Sequence, residues 1–255
     1  MTPHRVVRRL SATVLIAMLT TAAPPAAARS VGTRYLVFID LSSSAVAGDR
    51  ERWASFVDDH LIRRLRPGDA LTIYPIHART LEAAAIFNRV APTLPANRGN
   101  DQLTLAARAL NDMRTSARAA LEKALAGSVG SSQTDVLSAL DRYQPDVSGR
   151  RMVVLFMSDM LHAAPDLNLE RTSITVGNLH GVLKTLAQQR QWRSDQLAGA
   201  QVFCMLNAES PGQSQAPTNR RVLRQFYEAL FEALGARLIR FDTDIDAAQL
   251  AEGQP

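Results

Sequence analysis

Short apolar runs and helix-period apolar patterns take turns along this chain, and that alternation restricts its fold more than any other feature. Five runs, Tyr35–Ile39, Ala70–Tyr74, Ala84–Phe87, Met152–Met157 and Val202–Leu206, are apolar at nearly every position, as in strands buried on both faces. A sixth, Arg237–Phe241, alternates and suits a sheet edge. Between the runs, Trp53, Phe56, Val57, His60, Leu61 and Leu65 recur at i, i+3, i+4 spacing. So do residues from Leu103 to Leu125, from Leu179 to Leu186 and from Val222 to Leu234. The expected fold is α/β: a doubly wound, mostly parallel six-stranded sheet with helices on both faces. Only the second and third runs lie close together, joined around His77–Leu81, which predicts one antiparallel edge strand.

With 255 residues, 46% of them hydrophobic and 21% charged, the chain can bury a full core. Its single cysteine, Cys204, excludes an intrachain disulfide and a cysteine-based zinc site, and within an apolar run it reads as an inert core thiol. Residues 1–28 read as a signal peptide: Arg5, Arg8 and Arg9 precede a mostly apolar stretch, Leu10–Ala22, and Ala26-Ala27-Ala28 supplies the small residues a signal peptidase needs. The expectation is one domain at 29–255, periplasmic or secreted, without stable membrane insertion after cleavage. The leader carries three of the 29 basic residues and none of the 24 acidic ones, so the basic pI says little about nucleic acid. The pairs Arg63-Arg64, Arg150-Arg151 and Arg220-Arg221 read as solvated, since no aromatics interleave them.

Ligands of such sheets gather outside the carboxyl ends of the strands, where strand order reverses. Directly after Ile39 comes Asp40-Leu41-Ser42-Ser43-Ser44, one carboxylate with alternate hydroxyls in a tight loop. Ser158-Asp159 follows the fourth run, and Ser131-Ser132-Gln133-Thr134-Asp135 is a polar loop between the two. Oxygen donors of this kind suit a hard divalent cation that keeps several waters. Each Ser and Thr also suits a helix N-cap, and Asp135 a helix start, with no metal at all. Two aspartates at buried strand ends are harder to account for by capping.

Asp40-x-Ser42-x-Ser44, Thr134 and Asp159 resemble the metal-ion-dependent adhesion site of von Willebrand factor type A (vWA) domains. The likeness in strand and helix order covers nearly the whole chain after the leader, whereas the motif is five residues. The resemblance implies that Ser42, Ser44 and Thr134 ligate magnesium, or manganese or calcium in its place, and that Asp40 and Asp159 hold it largely through water. It further implies a protein partner whose carboxylate completes the shell. The family often has Gly before the threonine and after the last aspartate, where this chain has Gln133 and Met160.

Other chemistries find less support. A second Asp two residues after the first, as haloacid dehalogenase phosphatases require, is replaced by Ser42, and neither a Gly-x-Ser-x-Gly elbow nor a Gly-x-x-x-x-Gly-Lys loop occurs. His60 reads as packing, and His77 and His162 as solvated loop residues. Trp192 reads as a helix-end anchor. The expected function is protein recognition through the metal. A metal-dependent hydrolase or phosphotransferase using Asp40 or Asp159 is the enzymatic alternative, lacking a general base beside the motif. A metal-free structural module is the third. Two longer stretches, Met160–Gly177 and Ala208–Asn219, read as loops, the first expected to frame a ligand groove.

Overall fold

The computed structural model describes residues 32–43, 45–94, 99–127, 133–144, 148–208 and 219–251. The signal peptide and Ser44 lie outside the described residues, as does most of Ala208–Asn219.

Six strands form one mixed sheet. In chain order they are β1 (Thr33–Asp40), β2 (Ala70–Ile76), β3 (Phe87–Val90), β4 (Arg151–Met157), then β7 (Gln201–Met205) and β8 (Arg237–Asp242), arranged β3-β2-β1-β4-β7-β8. All neighbours pair in parallel except β2 and β3, which form the expected antiparallel edge. The third strand, however, starts at Phe87 where the apolar run Ala84–Phe87 ends. An edge strand has one ladder to satisfy and little to bury, so Phe87 alone points inward and Asn88, Arg89 and Val90 stay exposed.

Because β1 is central, both its faces are covered and its side chains divide strictly. Leu36 and Phe38 join one core; Tyr35, Val37 and Ile39 join the other. The second core is roofed by α1 (Ala47–His60), through Trp53, Phe56 and Val57, and by α2 (Asn100–Ala126), through Leu110, Met113, Ala117 and Leu121. Opposite lie the short α3 (Ser138–Asp141), α4 (Leu179–Arg190) and α5 (Arg220–Ala233), the last contributing Phe226, Tyr227, Leu230 and Phe231. A final turn of helix, α6 (Ala247–Ala251), returns Leu250 to the α1 side. No helix among the described residues is long and apolar enough to cross a membrane.

The stretch after β4 is more structured than its sequence implies. It folds into a small hairpin, β5 (Ala163–Ala164) with β6 (Leu167–Asn168), and buries Leu161, Leu169 and Ile174 in the α4–α5 core. His162 is fully buried within it instead of lying in solvent. Apolar residues here are spaced by turns, so they carry no period that a linear reading detects.

Order reverses between β1 and β4: the chain leaves β1 for β2 and β3, then crosses back through α2 to pair β4 on the other side of β1. The segments following β1 and β4 therefore meet at one crevice at the carboxyl edge.

Candidate functional site

At that crevice the backbone of β1 ends in Asp40, whose carboxylate is wholly buried. Its Oδ1 accepts from the backbone N–H of Ser42 at 2.8 Å, closing the loop that carries the serines. From the neighbouring strand end, Ser158 Oγ donates to Oδ2 at 2.8 Å and itself accepts from Met160 N at 3.1 Å. Burial pushes the Asp40 carboxyl above the usual carboxylate range, against the hydrogen bonds from Ser42 and Ser158 and the charge of Arg50. Arg50 is tied to the same loop, donating to Ser42 O at 2.6 Å.

Ser42 and Thr134, 92 residues apart in sequence, meet here. Thr134 Oγ1 donates to Ser42 Oγ at 3.0 Å, and both residues are buried. Asp159 is buried one residue beyond Ser158, with Oδ1 accepting from Leu161 N at 2.9 Å. Asp40, Ser42 and Thr134 are thus joined by direct hydrogen bonds, and Asp159 is linked to them along the chain through Ser158.

The donor set fits a small hard cation. Two oxygens bound side by side to magnesium at about 2.0–2.1 Å stand about 3 Å apart, the separation of the Ser42 and Thr134 hydroxyls. The buried carboxyl of Asp40 stands beside them and, when ionised, supplies negative charge that water does not screen. Among the described residues no group of three or more His, Cys, Asp or Glu side chains is gathered for a metal, so hydroxyls would have to make up most of any protein ligation.

Met160 takes an unusual backbone conformation. Its φ is 60°, the left-handed region that favours glycine, in a fully buried residue directly after Asp159. Two hydrogen bonds hold the peptide units on either side: Ser158 Oγ takes the Met160 N–H, and Tyr227 OH donates to the Met160 carbonyl at 2.8 Å. The turn after Asp159 therefore has a glycine-type conformation without a glycine.

Thr134 is fixed from outside the motif. Its carbonyl accepts from Ala163 N at 2.7 Å, and Asp135 N donates to His77 O at 3.2 Å, so the β5–β6 hairpin and the loop after β2 brace it from two sides. Beneath it lies an ionic cluster that the sequence does not reveal. Arg190 at the end of α4 contacts Asp141 and Asp166 at 2.7 Å each and Asp135 at 3.6 Å. Buried His162 bridges Asp166 through Nε2 at 3.1 Å and accepts from Leu137 N through Nδ1 at 3.3 Å. Trp192 anchors the helix end through a hydrogen bond from Nε1 to Asp141. Partial burial works to raise the Asp166 carboxyl, but hydrogen bonds and charges from His162 and Arg190 outweigh it and hold the group well below the usual range. His77, at the same edge, is kept below its usual value by burial and by Arg142 and Arg79, and its Nδ1 accepts from Arg79 N.

A groove of about 650 Å³ runs between the hairpin and α4, lined by residues including Pro165, Leu167, Asn168, Val182 and Thr185.

No protein-family model matches the chain, and no curated protein matches it. Among solved structures it is similar to the N-terminal domain of TFIIH p34, at 14% identity over 82% of this chain and 90% of that one, with a TM-score of 0.28. A superposition that loose bears on neither the fold nor the function.

Proposed function

We propose that the chain is an exported vWA-type recognition domain, with a divalent cation held by Asp40, Ser42, Ser44, Thr134 and Asp159 and a carboxylate of a protein partner as its target. The observation carrying this reading is the Ser42–Thr134 pair: two buried hydroxyl oxygens 3.0 Å apart beside a buried, hydrogen-bonded aspartate. In this reading Ser42, Ser44 and Thr134 donate oxygen directly, while Asp40 and Asp159 orient bound water and balance charge. The bound cation would supply an electrophilic site for a carboxylate oxygen, a directional contact that anchors an otherwise modest interface. The groove beside the β5–β6 hairpin supplies a surface on which the partner's neighbouring residues rest.

Titration of the protein with magnesium and with manganese by calorimetry, alongside Asp40→Ala, tests this. One site per chain, absent in the variant, supports it; a folded wild type that binds neither ion refutes it. A metal-free structural module is favoured by one observation, the closed network Ser42–Asp40–Ser158, which already satisfies both carboxylate oxygens from within the protein. Partner capture unchanged by EDTA would establish that alternative.

A further inference from the structure

The pole of the sheet opposite the candidate metal centre is basic, and several arginines distant in sequence build it. Arg34 stands at the start of β1, in register with Ala70 of β2 and Met152 of β4. Arg64 and Arg66 lie on the connection between α1 and β2, both exposed. Arg150, just before β4, reaches across to that connection, donating from Nε to Gly68 O at 2.8 Å.

Three of the acids on this side are already engaged, while Asp112 lies exposed on α2, two residues before Arg114, which donates to Leu65 O at 2.6 Å. Asp69 is buried, accepting from Thr33 N and Arg66 N at 2.7 Å each and facing the charges of Arg66 and Arg150. Asp58 and Asp59 are paired with Arg63, and Asp58 with Arg118 as well. Toward β7 and β8 the same pole becomes mixed, with Asp195 held by Arg193 and Glu232 and Arg237 both exposed, so the basic patch is confined to the β2–β1–β4 side.

The chain enters the fold in the middle of this patch. Gly32 packs so tightly on the Arg66–Gly68 turn that a Cβ there would stand 2.6 Å from Gly68 O, and its own carbonyl accepts from Arg151 N at 3.2 Å. Upstream, the sequence carries Arg5, Arg8 and Arg9 and then the apolar stretch Leu10–Ala22, with nine residues between Ala22 and Gly32. Even fully extended, such a connection spans only about 30–35 Å.

We infer that the Arg34–Arg64–Arg66–Arg150 pole docks on an anionic lipid surface. While the leader is attached, its apolar stretch and its short connection hold this pole next to the headgroups. After removal of the leader the arginines alone give reversible, salt-sensitive adsorption, since guanidinium groups pair with phosphate and each basic side chain near the surface adds to the attraction. Docked in this way, the molecule presents the Asp40–Thr134 end away from the bilayer. The inference does not depend on a metal being bound there. Nucleic acid is the less favoured occupant, because the exposed large apolar residues among those described include no aromatic side chain on which bases would stack.

Sedimentation with vesicles tests it, using both the full chain and residues 29–255, which retain every strand and helix described above. Vesicles of phosphatidylcholine alone are compared with vesicles containing about 30% phosphatidylglycerol, in EDTA, at about 0.05 M and about 0.5 M salt. Residues 29–255 should bind only the anionic vesicles and only at low salt. In residues 29–255, Arg64→Glu with Arg66→Glu should weaken that binding more than about tenfold while leaving the thermal melt in place. Arg79→Glu with Arg171→Glu, the same charge change among exposed residues at the opposite end, should leave binding intact. For residues 29–255, equal binding to neutral vesicles, equal loss in both double variants, or binding of duplex DNA without binding of vesicles would each overturn the inference.

Discussion

Asp40→Asn separates two roles of this carboxylate, because it keeps the side chain's shape and removes its charge. In the fold both oxygens accept hydrogen bonds, from Ser42 N and Ser158 Oγ, in a residue with no solvent exposure. A hydrogen bond to a charged acceptor contributes about 1.5–3 kcal/mol, so two contribute about 3–6 kcal/mol. Removing a carboxylate from water costs several kcal/mol even after relaxation, and the raised pKa of Asp40 says that this cost prevails. The amide still accepts from Ser42 N, and its Nδ2 donates to a reoriented Ser158 Oγ, so most of the bonding survives while the charge is gone. In EDTA at neutral pH the variant should therefore be more stable by about 1–3 kcal/mol, read from the urea midpoint at constant m-value. Magnesium should cancel or reverse that difference. At about a hundredfold excess over Kd the wild type gains about 2.7 kcal/mol by mass action, and the variant gains nothing. A variant that is less stable by more than about 1 kcal/mol in EDTA would refute the claim that desolvation dominates. Equal stabilisation of both proteins by magnesium would place the ion elsewhere.

Tyr227→Phe removes the hydroxyl that holds the Met160 carbonyl in its left-handed turn, and equilibrium unfolding should show a loss of about 1–2 kcal/mol; a change within about 0.3 kcal/mol would mean the turn holds without it. Gly32→Ala puts a Cβ 2.6 Å from Gly68 O at a residue with φ of 105°, so a destabilisation of about 2 kcal/mol or more is expected, visible as a drop in melting temperature. Asp166 has a depressed pKa in the fold, so its stabilising contribution is complete above the unfolded carboxylate range and is lost as pH falls through that range toward the folded value. Acid titration of unfolding should accordingly show a flatter limb below about pH 4 in Asp166→Asn than in the wild type, and superimposable limbs would contradict the Arg190–His162 account. Arg190→Met leaves Asp141 and Asp166 without their shared cation in a side-chain cluster only 13% exposed at the arginine, and a loss of about 3 kcal/mol or more in the unfolding free energy is expected.

Several parts of this molecule could be read without coordinates because they obey a local period. Runs of consecutive apolar residues mark the parallel strands, and the i, i+3, i+4 patterns mark α1, α2, α4 and α5, although the first pattern runs on through Leu61 and Leu65, which lie beyond the end of α1 and flank the short turn Ile62–Arg64. Asp40 was legible as a strand-end carboxylate because an apolar run stops on it. The apolar run Ala84–Phe87 points to the edge strand beside β2 but starts three residues before it, since a half-exposed strand has only Phe87 to announce it. The stretch after Asp159 is illegible in sequence for a related reason: its buried residues, among them His162, follow the turns of a hairpin and no repeat.

What the sequence alone determined was which segments alternate between strand and helix and which oxygen-bearing residues end the strands, because covalent neighbours share one helix or one pleat. Tertiary structure alone decided that Ser42 meets Thr134 across 92 residues and that Ser158 caps Asp40 across 118. It also decided that Met160 takes a glycine's conformation and that Arg34, Arg64, Arg66 and Arg150 share one pole. Those arrangements depend on the order in which strands are laid beside β1 and on packing that excludes water. Neither leaves a mark on residues adjacent in the chain.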